Sequence, residues 1–355
     1  MTHTRWISCS FAAWLLAIGL TSAHPLSAQA TPDTNAPAKA VSLPVTVLDK
    51  HGKIATNLSK DDFVLQEDGR FQDIGSIVPA GDLPLTIGLA VDTSRSQRSA
   101  LGQERDASSN FLDQILRGDK DQAFLIHFDQ EVELDQDVTS SREKLRAGLQ
   151  SMQAPQFSQT SGDRDQDDQH RRGASSRRGG AMVYDAVYLA SDEILKKQPG
   201  RKTIIVLSDG VDRDSKETLH AAIEAAQRAD AVVYAVYFKP EQQSFGSDRG
   251  GYGPWGGPMG GHRGGGQRRY PQEQRPDGKK ILEQITHETG GRVFEASGKE
   301  TVGKIYTQIQ EELRGQYSVS YTPDRVAAGA GFHKIELKAK KKDLTVETQV
   351  GYYGE

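Results

Sequence analysis

Three runs of the chain are almost continuously apolar and rich in branched residues: LTIGLAV from Leu85, TIIVLS from Thr203 and AVVYAVYF from Ala231. Such runs predict parallel strands covered on both faces. Ala123–Phe128 and Arg292–Glu295 read as further strands of the same set, and DQEVELDQDVT after Phe128 alternates like a short antiparallel edge strand. Between the strands, apolar residues recur at helical spacing. Val183, Val187, Ala190 and Ile194 form one stripe; Leu219, Ala222, Ile223 and Ala226 a second; Val302, Ile305, Tyr306, Ile309 and Leu313 a third. Strands alternating with helices predict a Rossmann-like, doubly wound α/β domain with a mostly parallel sheet, over residues 84–316.

The flanks follow a different pattern. Within an N-terminal β segment over residues 41–82, residues 41–69 alternate apolar and polar positions, with turn signals at Asp49–Gly52 and Glu67–Gly69, and predict three short antiparallel strands. YSVSYTP, HKIELKA and LTVETQVGYY return to the same alternation within residues 317–355. The two β segments are expected to pair into one small domain beside the α/β core. Two stretches fit neither pattern. Residues 158–180 contain no large aliphatic side chain, and residues 241–278 hold 12 of the chain's 36 glycines. Both are expected to be disordered insertions, because they have too little apolar surface to offset the entropy of ordering.

At the N-terminus, His3 and Arg5 precede the apolar FAAWLLAIGL, and Ala28-x-Ala30 makes a small-x-small cleavage site. Residues 1–30 therefore read as a signal peptide cut after Ala30 (Ala23 is the alternative), and residues 31–40 as a linker. An uncleaved anchor is the competing reading, but ten apolar residues are few against the roughly 20 that span a bilayer. No other segment is long and apolar enough, so the mature chain is expected to be secreted or periplasmic and without a membrane span. The one cysteine, Cys9, lies in this leader. Disulfides, zinc–thiolate sites and thiol catalysis are then excluded. Net charge is −4, becoming −5 once Arg5 leaves with the leader, which suits no polyanionic partner.

Candidate chemistry lies at the strand ends. Ligands of an open parallel sheet bind beyond the carboxyl ends of its strands. Asp92 ends the first α/β strand and Asp209 ends another, in VLSDG. Ser94 and Ser96 follow Asp92 at alternate positions, so in an extended loop their side chains share its direction. Two acids and two hydroxyls suit a hard cation with oxygen ligands. D-x-S-x-S ahead of a helix is equally good capping chemistry, and it is the second acid that favours a cation.

Asp92-Thr-Ser94-Arg-Ser96, together with Asp209, resembles the metal-ion-dependent adhesion site (MIDAS) of von Willebrand factor type A (VWA) domains. The segments VTVLDKHGKIATNLSKDDFVLQEDGRFQDI, YDAVYLA and YSVSYTPD through VGYY resemble the secreted bacterial VWFA-related family, over residues 41–355 apart from the two insertions. The resemblance implies a Rossmann-like fold whose upper edge carries Mg²⁺ or Mn²⁺ and grips protein carboxylates. Ser94 and Ser96 would ligate directly, and Asp92 and Asp209 directly or through water. The family's further threonine, in GGTALYDA, is replaced here: the run is GGAMVYDA, with Ala181 at that position. A methyl group cannot coordinate. Water, Thr160 or Ser161 could take the place, or the metal is lost.

Other motifs carry less. DRDQDDQH from Asp163 starts like a calcium loop, but Asp168 stands where glycine is needed and Ala174 where glutamate is needed. The Arg/Gly-rich stretch around Trp255 resembles a nucleic-acid segment, yet an exported protein seldom meets RNA. Asp185 reads as a helix-dipole residue and His287 as a surface residue. No G-x-S-x-G, P-loop or H-E-x-x-H occurs. The expected function is thus non-enzymatic: a secreted adhesion-type module whose cation takes a partner protein's Asp or Glu, with no small-molecule substrate. A metal-independent scaffold is the alternative, and a metal-assisted hydrolase ranks third because no general base is evident.

Overall fold

The computed structural model describes residues 40–152, 181–239, 277–324 and 330–354. The expected signal peptide, the linker up to residue 39, the insertion at 158–180, and Thr160 and Ser161 lie outside them. So does the second insertion, except that Asp277 and Gly278 belong to the start of a helix and not to the insertion.

The first strands are β1 (Val41–Asp49), β2 (Phe63–Glu67), β3 (Arg70–Gln72) and β4 (Ile74–Pro79). The α/β part then runs β5 (Leu85–Asp92), α1 (Leu101–Ile115), β6 (Gln122–Phe128), β7 (Val132–Thr139) and α2 (Arg142–Ser151). It continues with α3 (Val183–Leu189), β8 (Arg201–Ser208), α4 (Leu219–Arg228), β9 (Ala231–Phe238), α5 (Gly278–Thr289), β10 (Val293–Ala296) and α6 (Val302–Gly315). Last come β11 (Tyr317–Tyr321), β12 (Gly331–Ala339), β13 (Leu344–Thr348) and β14 (Gly351–Gly354).

The central sheet has the order β10-β9-β8-β5-β6-β7, parallel throughout except for the antiparallel edge strand β7. This is the fold class expected from the alternation of strands and helices. Every residue of β5 is buried. Its alternate side chains serve two cores, which is why the run had to be apolar on both faces. Ile87, Leu89 and Val91 pack with Phe111, Leu145 and Ile305 from α1, α2 and α6. Ala90, with Phe124 and Phe128 of β6, packs against Val187, Ile223 and Ile285 from α3, α4 and α5.

Three helices, α1, α2 and α5, were not among the expected stripes. In α1 the buried positions are Leu101, Glu104, Ser108, Phe111, Leu112 and Ile115, so two polar residues interrupt the apolar period. The expected stripe through Ile194 is real, but it widens into a π-helical turn at Ala190–Ile194 after α3.

Over residues 41–69, where three strands were expected, the structure has two, β1 and β2, and β3 and β4 follow them. The four pair mainly with the C-terminal strands, giving two four-stranded sheets, β13-β1-β11-β4 and β14-β12-β2-β3. The sheets share one core of Leu43, Val45, Val47, Phe63, Leu65, Val319, Tyr321, Ile335 and Leu337.

Candidate metal centre

Register delivers the first acid to the sheet rim. β5 pairs in parallel with β8 up to Val91 opposite Leu207, and with β6 up to Asp92 opposite Phe128. Asp92 and Ser208 therefore stand at neighbouring strand ends. Ser208 Oγ donates to Asp92 Oδ2 over 2.6 Å, and the Ser94 N–H donates to Asp92 Oδ1 over 2.9 Å. Both oxygens of a wholly buried carboxylate are thus held in place.

Ser94 and Ser96 do converge, with their hydroxyl oxygens 3.0 Å apart. The cause is not an extended loop. The chain turns here, with Gln97 N–H donating to Ser94 O over 3.0 Å. Ser94 is buried and Ser96 exposed, so the hydroxyl pair leads from the buried acid to solvent. The capping alternative fails on geometry. Helix α1 starts only at Leu101, and its N-cap, Ala100, makes no side-chain bond.

Asp209 follows Ser208 directly. It is 5% exposed, and its Oδ1 accepts from the Val211 N–H over 3.0 Å. The tight bend after it needs Gly210. That residue has φ +71°, and a side chain there would meet Gly278 O at 2.2 Å. The two acids feel one another. Burial, with the Asp209 charge adding to it, pushes the Asp92 carboxyl up to about 7 against bonds from Ser208 and Ser94 that favour ionisation.

A third loop reaches the same rim. Ala181 bridges Asp212 in parallel fashion, Arg213 N–H donates to Ala181 O over 2.9 Å, and Met182 N–H donates to Asp129 O over 3.1 Å. Asp212 Oδ1 accepts from Tyr184 N–H at 3.1 Å and from Ser215 Oγ at 2.6 Å. Asp185 does more than face a helix dipole: its oxygens accept from the Lys216 and Glu217 N–H groups at 3.1 and 2.8 Å, holding the loop after Asp209 against α3. Ala181 itself is 2% exposed and its methyl packs into the apolar core, so it offers no donor. His287 is exposed, as expected.

Sequence reasoning missed Ser208, Asp212 and Glu104. Ser208 was visible only as a neighbour of Asp209, since nothing in VLSDG says that its hydroxyl holds Asp92. Glu104 was hidden because it occupies a position that helical periodicity assigns to a hydrophobe.

The donor set fits a divalent ion on its chemistry. A buried carboxylate that feels the charge of a second one is costly to ionise without a counter-charge. Two hydroxyl oxygens at its mouth can add neutral ligands. Among the described residues no three His, Cys, Asp or Glu side chains cluster to hold a metal.

No protein-family model matches the chain, and no curated protein does. Solved structures similar to it include VWA domains. A von Willebrand factor type A structure from Catenulispora acidiphila is 10% identical, covering 90% of this chain and 74% of that one, with a TM-score of 0.45. Proximal thread matrix protein 1 of the mussel byssus, in a structure with a zinc-occupied MIDAS motif, is 13% identical. There the match covers 70% of this chain and 50% of that one, with a TM-score of 0.44. An aerotolerance-related membrane protein from Bacteroides fragilis is 16% identical, with 64% and 98% covered and a TM-score of 0.42. At the rim the D-x-S-x-S loop follows β5, Asp209 follows the neighbouring strand β8, and Ala181 offers no donor. Among the described residues no helix is long and apolar enough to cross a membrane.

Proposed function

We propose that the chain is a secreted, non-enzymatic protein-binding module that takes up Mg²⁺ or Mn²⁺ at Asp92, Ser94, Ser96 and Asp209 and uses it to grip a partner's Asp or Glu. The observation that carries this reading is the buried Asp92 carboxylate, fixed by Ser94 and Ser208 and burdened by the charge of Asp209. When bound, the ion supplies the Lewis acidity that a carboxylate ligand satisfies. The protein's part is to hold two acids at one rim and to keep the donors on the solvent side neutral. Few carboxylates and two hydroxyls leave positive charge uncancelled, which is what attracts an acidic partner.

Bound Mn²⁺ relaxes water protons through its exchangeable waters. A short peptide bearing one aspartate is expected to lower that relaxation by displacing a water, and the same peptide with asparagine is expected to leave it unchanged. Equal effects of the two peptides would contradict carboxylate capture.

A metal-independent scaffold remains the second reading, and Ala181 is the observation that favours it. Ala181→Thr separates the two. If the methyl stands where a ligand belongs, the added hydroxyl is expected to tighten Mn²⁺ binding by about tenfold in calorimetric titration, the lower end of what one supporting group contributes at metal sites. No gain would show that this loop does not reach the ion.

A further inference from the structure

Glu104 lies in the first turn of α1 and is 1% exposed, yet among the described residues neither of its carboxyl oxygens has a hydrogen-bond partner. The other strongly buried acids of the α/β part are provided for. Asp121 accepts from Arg117 Nε at 2.7 Å, Glu312 pairs with Arg292, and Asp92 has Ser94 and Ser208. Among the described residues, the charge that acts on Glu104 is a like one, that of Asp92. The Thr93 hydroxyl, next to Asp92 in sequence, is also buried and unpartnered.

A carboxylate accepts hydrogen bonds and a carboxylic acid must donate one, so no protonation state makes such a side chain indifferent to its surroundings. Unpartnered buried polar atoms are rare, and each calls for a cause. Packing is not the cause. Leu101 and Phe111 occupy the same buried stripe of α1, and a leucine or methionine at 104 would extend it. No group of the described residues serves as the partner of Glu104, and Asp92 lies close enough for its charge to act on Glu104.

We infer that Glu104 is a positioning residue of the rim site, a third carboxylate that accepts hydrogen bonds from the water shell of the cation and makes up for the donor that Ala181 does not provide. This rests on the cation reading above. Hydrogen bonds from outer carboxylates are a regular means of orienting a metal's ligands and strengthening its hold. The device also explains why a charged residue occupies a helix position where apolar packing would otherwise be better.

The full chain, titrated with Mn²⁺ by calorimetry and melted with and without the ion, tests the inference. Glu104→Gln and Glu104→Met are expected to bind Mn²⁺ at least about tenfold more weakly, and in EDTA to melt at or above the temperature of the unaltered chain. The melting shift that Mn²⁺ produces should shrink in both variants. Unchanged affinity, or loss of folding in EDTA by both variants, would overturn the inference and make Glu104 a structural residue. Absence of Mn²⁺ binding by the unaltered chain would instead defeat the cation reading itself. The two failures are thus distinguishable.

Discussion

Asp209→Ala is expected to leave the protein folded and to weaken Mn²⁺ binding by about 100-fold or more in calorimetric titration. The stability side of the expectation follows from the few bonds that Asp209 makes. Its Oδ1 accepts from Val211 N–H at 3.0 Å, a local bond worth about 1 kcal/mol. The bend itself is held by Gly210, whose N–H donates to Ser208 Oγ at 2.9 Å, and by the contact of that bend with Gly278. The binding side follows from charge. Outer partners of metal ligands are worth about 10- to 100-fold in affinity, and an acid that itself holds the ion is worth at least as much. Loss of Asp209 also removes the repulsion it exerts on Asp92, so the Asp92 carboxyl should ionise more readily in this variant. A variant that binds Mn²⁺ as well as the unaltered chain would remove Asp209 from the site.

In EDTA the protein is expected to lose stability as pH rises from 5 to 9, and saturating Mn²⁺ should flatten that decline. Burial holds Asp92 up at about 7 and Glu104 up at about 8. A carboxyl whose value is raised in the folded state stabilises folding fully below its unfolded value, about 4. That contribution is lost as pH climbs through the folded one. Each tenfold change in an ionisation constant is worth about 1.4 kcal/mol, and the decline from Asp92 ends near its folded value of about 7, so between pH 5 and 9 Asp92 alone accounts for roughly 3 kcal/mol. The two acids interact, so their contributions do not simply add.

Against a typical total of roughly 5–15 kcal/mol, the effect is large. His127, raised by its bond to Asp135, acts in the same direction nearer neutrality. Asp121 and Asp68, held low by Arg117 and His333, add stability that is lost only in acid and do not enter this window. Asp92→Asn isolates the rim component. It should remove the Asp92 part of the decline and its response to Mn²⁺, and leave the Glu104 and His127 parts. Urea midpoints at pH 5 and pH 9, each in EDTA and in Mn²⁺, provide the measurement.

These effects arise where sequence and fold are least easily matched. The strands of the central sheet could be read because both faces are covered, so LTIGLAV and AVVYAVYF had to be apolar almost throughout. Asp92 stood out as the residue that ends such a run. Helix α1 was obscured by Glu104 and Ser108, two polar residues at buried positions, one orphaned and the other bonded to Tyr306 at 2.7 Å. The flanking sheets could be anticipated as β but not in their pairing. Val41 faces Tyr321 across almost the whole length of the described chain, and no local pattern encodes so distant a partner. At the rim, D-x-S-x-S carries its own signature. The loop stitching by Asp185 and Asp212 depends on backbone N–H groups that a sequence does not display.

Crystals of the full chain grown with Mn²⁺ and measured near the manganese absorption edge give the most direct test of the cation site. One anomalous peak is expected within coordinating or water-bridged distance of Asp92, Ser94, Ser96 and Asp209. Ordered rim side chains with no peak among them, in crystals equilibrated with excess Mn²⁺, would contradict it.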